Sequence, residues 1–387
     1  MRFLMSTRPF YGHFHPFVPI AAAALKGGHQ VRFATAEEFC PVIERAGFTA
    51  VPAGLHPKDP LPPQYAERAY ARDYGAFPVT AKAHDLVAAA ERWRPDVVLR
   101  DPTDVAAVVA SEVIGIPCAT LGFCRYIPGT SWDRILGPTL DEVRARFGLA
   151  PDPTWQRLHH YLYLDVVPPF FQLLPEPVPT LHVFRSGIAS ALSEDRPEWL
   201  DRLPARPTVH VSLGTTFNGR VALLRTLVLG AAELDVNVVG TTGPDVAPEE
   251  VIASPPPQVR LERFVPNSHL LPRSDVVVTA GGFNTVLGAL ERGRPMLVVP
   301  LGSDQPRNAQ HVVALGVGLS RDPAEATVDQ TAEDLRRLLH DPSFRIAATR
   351  LEERYRCLPG PEHAVERLVR LGETGLPQLA DSPLASL

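Results

Sequence analysis

The chain has 387 residues, of which 45% are hydrophobic and 21% are charged, and its formal net charge is -5. This length suits two domains of ordinary size, and the composition is that of a soluble globular protein. The negative balance argues against a nucleic-acid-binding protein, and no apolar run approaches the roughly 20 residues needed to cross a bilayer. The first residues lack the features of a signal peptide, so a cytoplasmic protein is expected.

The four cysteines are scattered along the chain, at Cys40, Cys118, Cys124 and Cys357. None forms a CxxC pair, and none has a histidine at the spacing of a zinc site. Reduced, buried thiols are therefore expected, and the pattern requires neither a metal ion nor another cofactor.

Short apolar runs alternate with amphipathic stretches through the first half of the chain. The runs predict strands near residues 3–5, 31–34, 49–51, 97–99 and 118–121, and the stretches predict helices at 17–26, 37–46 and 105–114. Such alternation indicates an α/β domain, in which helices cover both faces of a parallel sheet.

Residues 123–179 break this alternation, because they are dense in proline and aromatic side chains. Any one of these aromatic residues is more often part of a core than of a binding site. As a group they predict a pocket for a flat or apolar small molecule. The two histidines at 159 and 160 are expected at the surface. The side chains assigned to the pocket are Phe123, Tyr126, Trp132 and Phe170.

A second series of strands begins after a proline-rich segment, residues 196–207, RPEWLDRLPARP. Its prolines interrupt the periodicity and place a domain boundary there. Strands are predicted near 209–211, 236–239, 259–261, 276–278 and 296–299. We therefore expect one domain over residues 1–203, a second over 208–358, and a helix over 359–373 that packs back on the first domain. The tail from Gly375 onward is expected to be disordered.

The segment from Val276 to Val312 carries the most specific pattern, VVVTAGGFNTVLGALERGRPMLVVPLGSDQPRNAQHV. A buried strand runs into the glycine pair Gly281 and Gly282, and a helix follows. Glycines let the backbone approach a phosphate closely, and the N–H groups and dipole of a helix N-terminus favour negative charge. The pattern predicts a phosphate site to which Asn284 and Thr285 add side-chain hydrogen bonds.

The loop after the next strand carries Asp304 and Gln305. In an open parallel sheet, ligands lie beyond the carboxyl ends of the strands, so this loop and the glycine pair converge on one crevice. A carboxylate beside an amide suits the vicinal hydroxyls of a sugar. A tight turn and a helix N-cap would explain each piece alone, but the ordered combination favours a sugar-nucleotide site.

This segment resembles the signature of the family 1 UDP-glycosyltransferases, especially of the bacterial members that modify antibiotics, which contain HGGxGTxxEAL and then DQxxNA. Residues 260–267, RLERFVPN, are similar to the family element that stacks on and hydrogen-bonds the base, which implies roles for Phe264 and Val265. Residues 211–217, VSLGTTF, are similar to the phosphate-side loop of the donor domain, which implies a role for Thr215.

The resemblance implies the GT-B fold, with two facing Rossmann-like domains and an interdomain cleft. It implies that the first domain binds the acceptor and the second binds the nucleotide sugar. Two positions depart from the family pattern: the usual histidine before the glycine pair is Ala280, and the glutamate that many members use for the ribose is Gly288. Losing a charge-assisted phosphate contact costs about 1.5–3 kcal/mol. Arg263 and Arg307 are candidates for a compensating contact.

Between the first strand and the first helix lies TRPFYGHFHP, residues 7–16, with His13 after a glycine. Glycosyl transfer with inversion needs a base for the acceptor hydroxyl, and histidine suits this task near neutral pH. A carboxylate that orients the imidazole improves such a base, and Asp101, after the fourth predicted strand, is our candidate. His15 is the alternative base and Asp104 the alternative carboxylate. Without catalysis, His13 would be explained by packing at a helix N-terminus, and Asp101 by capping of the helix that follows it.

Together these features predict an inverting transferase that moves a sugar from a dTDP- or UDP-sugar to a hydroxyl of a small natural-product acceptor, without a metal ion. The alternative is a non-catalytic auxiliary or sensor protein that binds nucleotide sugars. Ala280 favours this alternative, and His13, Asp101, Asp304 and Gln305 oppose it. A nucleotide-sugar epimerase of the same fold is a third hypothesis. No nucleic-acid or membrane partner is expected, and a homodimer is left open.

Overall fold

The computed structural model of the chain describes residues 1–55, 76–128, 131–132, 139–172, 174–175, 177–187, 196–215 and 219–380. These residues form two compact units. The first unit comprises the described residues of Met1–Ser186 and Pro359–Leu387, and the second comprises those of Gly187–Leu358. Among the described residues, no helix is both long enough and apolar enough to span a membrane.

The first unit is built on parallel strands, which are β1 Arg2–Ser6, β2 Gln30–Thr35, β3 Thr49–Pro52, β4 Val97–Arg100, β5 Cys118–Gly122, β6 Leu162–Asp165 and β7 Leu181–Val183. They form one sheet of seven strands in the order β3-β2-β1-β4-β5-β6-β7. The α-helices described in this part of the chain are α1 Tyr11–Phe14, α2 Val18–Lys26, α3 Cys40–Arg45, α4 Ala76–Trp93, α5 Val105–Ile114 and α6 Thr139–Arg146.

The second unit repeats this plan with the strands β8 Thr208–Ser212, β9 Asn237–Thr241, β10 Val259–Glu262, β11 Val276–Thr279, β12 Met296–Val298 and β13 Gly318–Ser320. Their parallel sheet has the order β10-β9-β8-β11-β12-β13. The described α-helices are α7 Val221–Ala232, α8 Pro248–Val251, α9 Asn267–Leu270, α10 Phe283–Glu291, α11 Gln305–Ala314, α12 Val328–His340 and α13 Pro342–Arg356. A last helix, α14 Pro361–Thr374, packs on α2 of the first unit.

The strand order reverses at one point in each sheet. In the first unit β1 lies between β2 and β4, and in the second β8 lies between β9 and β11. At such a point the chain connections leave in opposite directions and open a crevice at the carboxyl ends of the strands. Residues that follow β1 and β4, or β8 and β11, are therefore brought together within their unit. The predicted α/β class with two parallel sheets is confirmed.

Three strands lie outside the predicted set, namely β6, β7 and β13. The sequences of β7 and β13 are LHV and GLS, which are too short to show an apolar pattern, and both strands lie at sheet edges. The strand β6 is buried at all four positions but lies inside the aromatic-rich region, where prolines and rings hide its pattern. Pairing with a neighbouring strand, rather than local sequence, defines these three elements.

The segment before β8 belongs to the second unit, so the boundary lies earlier than the predicted residue 203. Leu200 packs with Val239 and Leu270 in a small hydrophobic cluster. Asp201 forms an ion pair with Arg273. These contacts tie the proline-rich segment to the domain that follows it, although the prolines interrupt its secondary structure.

Residues 375–380 continue along the first unit after α14. The N–H of Gln378 donates to the Tyr161 carbonyl at 2.8 Å, and the N–H of Ala380 donates to the Pro179 carbonyl at 2.8 Å. The prediction of disorder is wrong for these residues, because their backbone groups find partners that are distant in sequence. Residues 381–387 lie outside the described part of the chain.

The cysteine thiols differ in exposure. Cys118 is buried, Cys40 and Cys124 are half-buried, and Cys357 is exposed. The expectation of buried thiols is therefore correct for Cys118 and wrong for Cys357, which caps the carboxyl end of α13.

Candidate functional site

A histidine and an aspartate meet at the reversal point of the first sheet. His13 lies in α1 after β1, and Asp101 follows β4 directly. Nδ1 of His13 is hydrogen-bonded to Oδ2 of Asp101, although the residues are 88 positions apart in the chain. Strand register brings them together, because Ser6 at the end of β1 pairs with Arg100 at the end of β4. The Asp101 N–H donates to the Ser6 carbonyl at 2.9 Å.

The carboxylate of Asp101 is fully buried and anchored on both oxygens. Oδ1 accepts the N–H and the Oγ1–H of Thr103, each at 2.7 Å, which leaves Oδ2 for His13. Burial acts to raise the pKa of this carboxyl, but His13 and the Thr103 hydrogen bonds outweigh burial and hold the pKa well below its ordinary value. Asp101 does not cap α5, whose N-cap residue is Asp104. The carboxylate is therefore ionised at neutral pH and directed at the imidazole.

The other ring nitrogen of His13, Nε2, faces away from Asp101 and has no partner among the residues that the structure describes. The His13 side chain is 23% exposed. The ring of Phe123 stands edge-on to the imidazole, with centroids 5.4 Å apart. When Nδ1–H is directed at a carboxylate, Nε2 of a neutral imidazole carries a lone pair and accepts a proton.

The alternative base and the alternative carboxylate have other surroundings. His15 packs among aromatic rings, and burial lowers its pKa to about 4. Asp104 accepts a hydrogen bond from Ser6 Oγ at 2.6 Å and pairs with Lys82 Nζ at 2.7 Å. The geometry therefore selects His13 and Asp101 as the pair.

The four aromatic residues assigned to the acceptor pocket differ in exposure. Phe123 is buried against His13, and Tyr126 and Phe170 are half-buried. Trp132 is 1% exposed and packs in the hydrophobic core of the first unit, so its ring does not line a surface. The structure leaves three of the four as candidates to contact a small molecule.

His159 lies between two tyrosine rings and is not a surface side chain. Its ring centroid is 5.2 Å from that of Tyr126 and 4.8 Å from that of Tyr163. Burial lowers the pKa of His159 well below its ordinary value, and the charge of Arg100 lowers it further. The expectation of a surface position is wrong for this residue, because the 3₁₀ turn Gln156–His159 carries it over the sheet. His160 is exposed, as expected.

A buried carboxyl, that of Asp165, holds the loop that contains Tyr126. Asp165 ends β6, and its Oδ2 accepts Gln172 Nε2–H at 2.9 Å. Gln172 Oε1 in turn accepts the Tyr126 N–H at 3.0 Å. Burial raises the pKa of Asp165 to about 7. Neither Asp165 nor Gln172 stands in a sequence motif, so only the fold reveals this link.

Asp165→Asn is expected to weaken the pH dependence of stability between about pH 4 and pH 7. The unfolded chain loses this proton near an ordinary pKa of about 4, whereas the folded chain keeps it up to about pH 7. Stability from this group is therefore lost as pH rises through that window. Asparagine has no proton to lose. As pH rises through this window, the thermal midpoint of the variant should therefore rise relative to that of the wild type. If the thermal midpoints of the wild type and the variant changed in parallel with pH, the raised pKa of Asp165 would be contradicted.

The glycine pair lies at the reversal point of the second sheet. Gly281 has a φ of +90°, and a Cβ there would lie 2.7 Å from Val298 Cγ1, so conformation and space both require glycine. Helix α10 begins at Phe283, with Gly282 as N-cap and no side-chain cap. A helix N-terminus that no side chain caps is an anion-binding arrangement.

The two departures from the family pattern lie at packed positions. Ala280 is buried in the hydrophobic core of the second unit, and a Cβ on Gly288 would lie 2.7 Å from Leu271 Cδ1. A larger polar side chain would have to enter packed core at either position. The guanidinium of Arg263 donates to a backbone carbonyl at 3.1 Å, whereas Arg307 is exposed on α11.

Asp304 and Gln305, which lie in the segment after β12, each keep one polar atom free. Asp304 Oδ2 accepts Asn308 Nδ2–H at 3.0 Å. Gln305 Oε1 accepts the N–H groups of Leu301 and Gly302 at 2.8 and 3.1 Å. Asp304 Oδ1 and Gln305 Nε2 make no hydrogen bond with any described residue. An acceptor and a donor therefore stand free on adjacent residues, as a sugar diol requires.

The other residues predicted to bind the donor lie after strands of the same sheet. Phe264, after β10, is 48% exposed, while its neighbour Val265 is buried in the cluster that contains Leu200. Thr215, after β8, is half-buried, and residues 216–218 lie outside the described part of the chain. Asn284 and Thr285 are half-buried in the first turn of α10. Phe264 is thus the one member of this group with a widely exposed apolar face.

Comparisons with known proteins identify the family and the fold of the chain. Residues 225–371 match the family model described as erythromycin biosynthesis protein CIII-like, C-terminal domain. The chain is 30% identical to aklavinone 7-beta-L-rhodosaminyltransferase of Streptomyces galilaeus, and the match covers 96% of each chain.

Two solved structures share the fold over almost the whole chain. The glycosyltransferase SnogD from Streptomyces nogalater has a TM-score of 0.80 at 28% identity, covering 96% of this chain and 99% of that one. The glycosyltransferase VinC in complex with dTDP has a TM-score of 0.77 at 27% identity, covering 96% and 100%. The predicted family and fold are confirmed. The chain belongs to the family 1 glycosyltransferases of bacterial natural-product biosynthesis, which use nucleotide sugars and have the GT-B fold.

Proposed function

We propose that this protein is an inverting glycosyltransferase that moves a sugar from a dTDP- or UDP-sugar to a hydroxyl of a small natural-product acceptor. His13 is the general base and Asp101 orients it. The observation that carries the proposal is the hydrogen-bonded pair, a partly exposed imidazole held at Nδ1 by a fully buried carboxylate. This arrangement leaves Nε2 to take a proton.

The proposed reaction is a single displacement. The acceptor hydroxyl gives its proton to Nε2 of His13 while its oxygen forms a bond to the anomeric carbon of the donor. The bond from that carbon to the diphosphate breaks, and its electron pair leaves with the nucleoside diphosphate. Because the oxygen attacks from the face opposite the leaving group, the anomeric configuration inverts. The negative charge of Asp101 stabilises the imidazolium that forms.

The second unit supports the donor half of the proposal. The N-terminus of α10, which no side chain caps, would direct the positive end of the helix dipole at the diphosphate. The free atoms of Asp304 and Gln305 match sugar hydroxyls, and the exposed ring of Phe264 offers a face to the base. The complex of VinC with dTDP supports a dTDP-linked donor.

The first unit supports the acceptor half. Phe123 contacts the ring of His13, so an apolar acceptor held there would present its hydroxyl near the base. Tyr126 and Phe170 are half-buried in loops that follow β5 and β6. The relative named for transfer to aklavinone supports a natural-product acceptor.

Incubation with dTDP- and UDP-sugars and a panel of natural-product aglycones tests the proposal. Nucleoside diphosphate should be released when an acceptor is present, and NMR of the product should show the anomeric configuration opposite to that of the donor. Retained configuration would contradict inversion. Nucleotide binding without turnover on any acceptor would support the auxiliary or sensor protein, and turnover of the donor alone would support the epimerase.

Asp304→Ala is expected to impair use of the donor through its sugar. A hydrogen bond to a charged group contributes about 1.5–3 kcal/mol, so kcat/KM for the donor should fall about 10- to 150-fold. Affinity for dTDP itself should change little. The matched control is Asp235→Ala. It removes an exposed carboxylate that precedes β9, at the amino ends of the strands, whereas Asp304 lies beyond their carboxyl ends. Equal losses for dTDP and dTDP-sugar would contradict this placement of Asp304.

A further inference from the structure

Asn308 is a buried amide that contacts two parts of the donor site. The residue lies in α11 and is 0% exposed. Its Nδ2 donates to the Gly281 carbonyl at 2.9 Å and to Asp304 Oδ2 at 3.0 Å. The first acceptor belongs to the turn proposed for the diphosphate, and the second belongs to the carboxylate proposed for the sugar. One side chain therefore joins both.

The amide has one orientation that satisfies these contacts. A side-chain NH₂ has two hydrogens, and the two acceptors use both of them. A flipped amide would direct its oxygen at a carbonyl and a carboxylate, which cannot donate. Oδ1 of Asn308 is buried and makes no hydrogen bond within the described residues. An amide oxygen left in this state lowers stability, so the gain from the side chain lies in its two donated bonds.

Asp304 depends on this contact for its orientation. Within the described residues, the bond from Asn308 is the one hydrogen bond that its carboxylate makes. Without it, the half-buried carboxylate can rotate, and Oδ1 no longer has a defined place relative to the glycine turn. A carboxylate that points at a sugar hydroxyl must be held to within a fraction of an ångström to contribute to binding.

We infer that Asn308 is a positioning residue that holds the Asp304 carboxylate and the Gly281 turn at a fixed separation. The sugar and the diphosphate of one donor molecule then bind together. The inference rests on the proposed function, because it takes these two elements as the sugar and diphosphate sites. Asn308 contacts neither ligand in this scheme and acts through the groups it holds.

Asn308→Asp is the sharpest variant, because it keeps the size of the side chain and removes both donors. The new carboxylate would face Asp304 and repel it. Asn308→Ala removes the donors without adding charge. The matched control is Asn237→Asp in β9, where Nδ2 donates to the Pro204 and Arg206 carbonyls at 3.0 and 3.2 Å. This second buried amide lies at the amino edge of the same sheet.

Titration calorimetry with dTDP and dTDP-glucose, and with UDP and UDP-glucose, tests the inference. Asn308→Asp should weaken binding of the sugar nucleotide about fivefold or more beyond its effect on the free diphosphate, within the range of coupling between contacting residues. Asn237→Asp should lower the thermal midpoint and leave the ratio of the two affinities unchanged. The double variant of Asp304→Ala and Asn308→Ala should lose no more affinity for the sugar nucleotide than the more affected of the two single variants.

Equal losses for the free diphosphate and the sugar nucleotide in Asn308→Asp would make Asn308 a purely structural residue and overturn the inference. The inference would also be overturned if the fold-losses in sugar-nucleotide affinity of Asp304→Ala and Asn308→Ala multiplied in the double variant. If Asn308→Asp does not fold, Asn308→Ala makes the same comparison. If the wild-type protein binds neither the dTDP ligands nor the UDP ligands, the proposed function itself is overturned. If the wild type binds the nucleotides and transfers the sugar, but the affinity losses of the two single variants multiply in the double variant, only the role of Asn308 is overturned.

Discussion

Replacing His13 with alanine is expected to lower kcat for glycosyl transfer about 10²- to 10⁴-fold, the contribution of a positioned general base. In the proposed mechanism Nε2 of His13 takes the acceptor proton, while Nδ1 is held by Asp101. The loss should appear in kcat rather than in KM, because the base acts on a proton that moves in the transition state. The measurement is the initial rate of nucleoside diphosphate release with donor and acceptor both saturating.

His15→Gln is the matched control for this variant. His15 lies two positions further along the chain, and its ring packs against Tyr11 and Phe14 instead of a carboxylate. Burial lowers the pKa of His15 to about 4, so it is neutral at the pH of the assay. This variant should keep most of the wild-type rate. A wild-type rate in His13→Ala, or a larger loss in His15→Gln, would remove His13 from the role of base.

Asp101→Asn is expected to lower kcat about 10²- to 10⁴-fold in a folded protein. The amide is nearly isosteric, and its oxygen can still accept both hydrogen bonds from Thr103. Its NH₂ group would face Nδ1 of His13, which must then accept, so the ring proton moves to Nε2. In that tautomer His13 cannot take the proton of the acceptor, and the imidazolium also loses a stabilising charge.

The tautomer of His13 gives this prediction a readout besides the rate. Nitrogen-15 NMR should show the proton on Nδ1 in the wild type and on Nε2 in Asp101→Asn. The control is Asp104→Asn, which leaves the half-buried Lys82 without its charged partner. It should lower the thermal midpoint and keep kcat. A greater loss of kcat in Asp104→Asn than in Asp101→Asn would exchange the roles of the two carboxylates.

Local sequence patterns were sufficient for most of the two sheets. A central strand of a parallel sheet is covered on both faces, so it needs an uninterrupted apolar run, as in β4 and β11. Edge strands such as β7 and β13 have no such requirement and leave no clear pattern. The tail at residues 375–380 was missed for a related reason, because its order comes from backbone partners more than 190 positions away, as in the contact between Tyr161 and Gln378.

The side chains in the aromatic-rich region show the opposite case. Composition indicated a pocket, but Trp132 is a core residue and His159 lies between Tyr126 and Tyr163. A ring in the core and a ring at a binding surface have the same local sequence requirements, since both need apolar neighbours. The neighbours come from other elements, so burial of each ring follows from the fold.

The sequence by itself determined the family and indicated the proposed donor motif, because the glycine turn, α10 and the Asp304–Gln305 pair lie within about one strand-helix-strand unit. Contacts within such a unit depend on short separations that a local pattern records. The tertiary structure decided which histidine and which carboxylate pair, since register between β1 and β4 brings together residues 88 positions apart. It also showed the buried amide of Asn308 between the Gly281 turn and Asp304, because a hydrogen bond depends on distance in space and not along the chain.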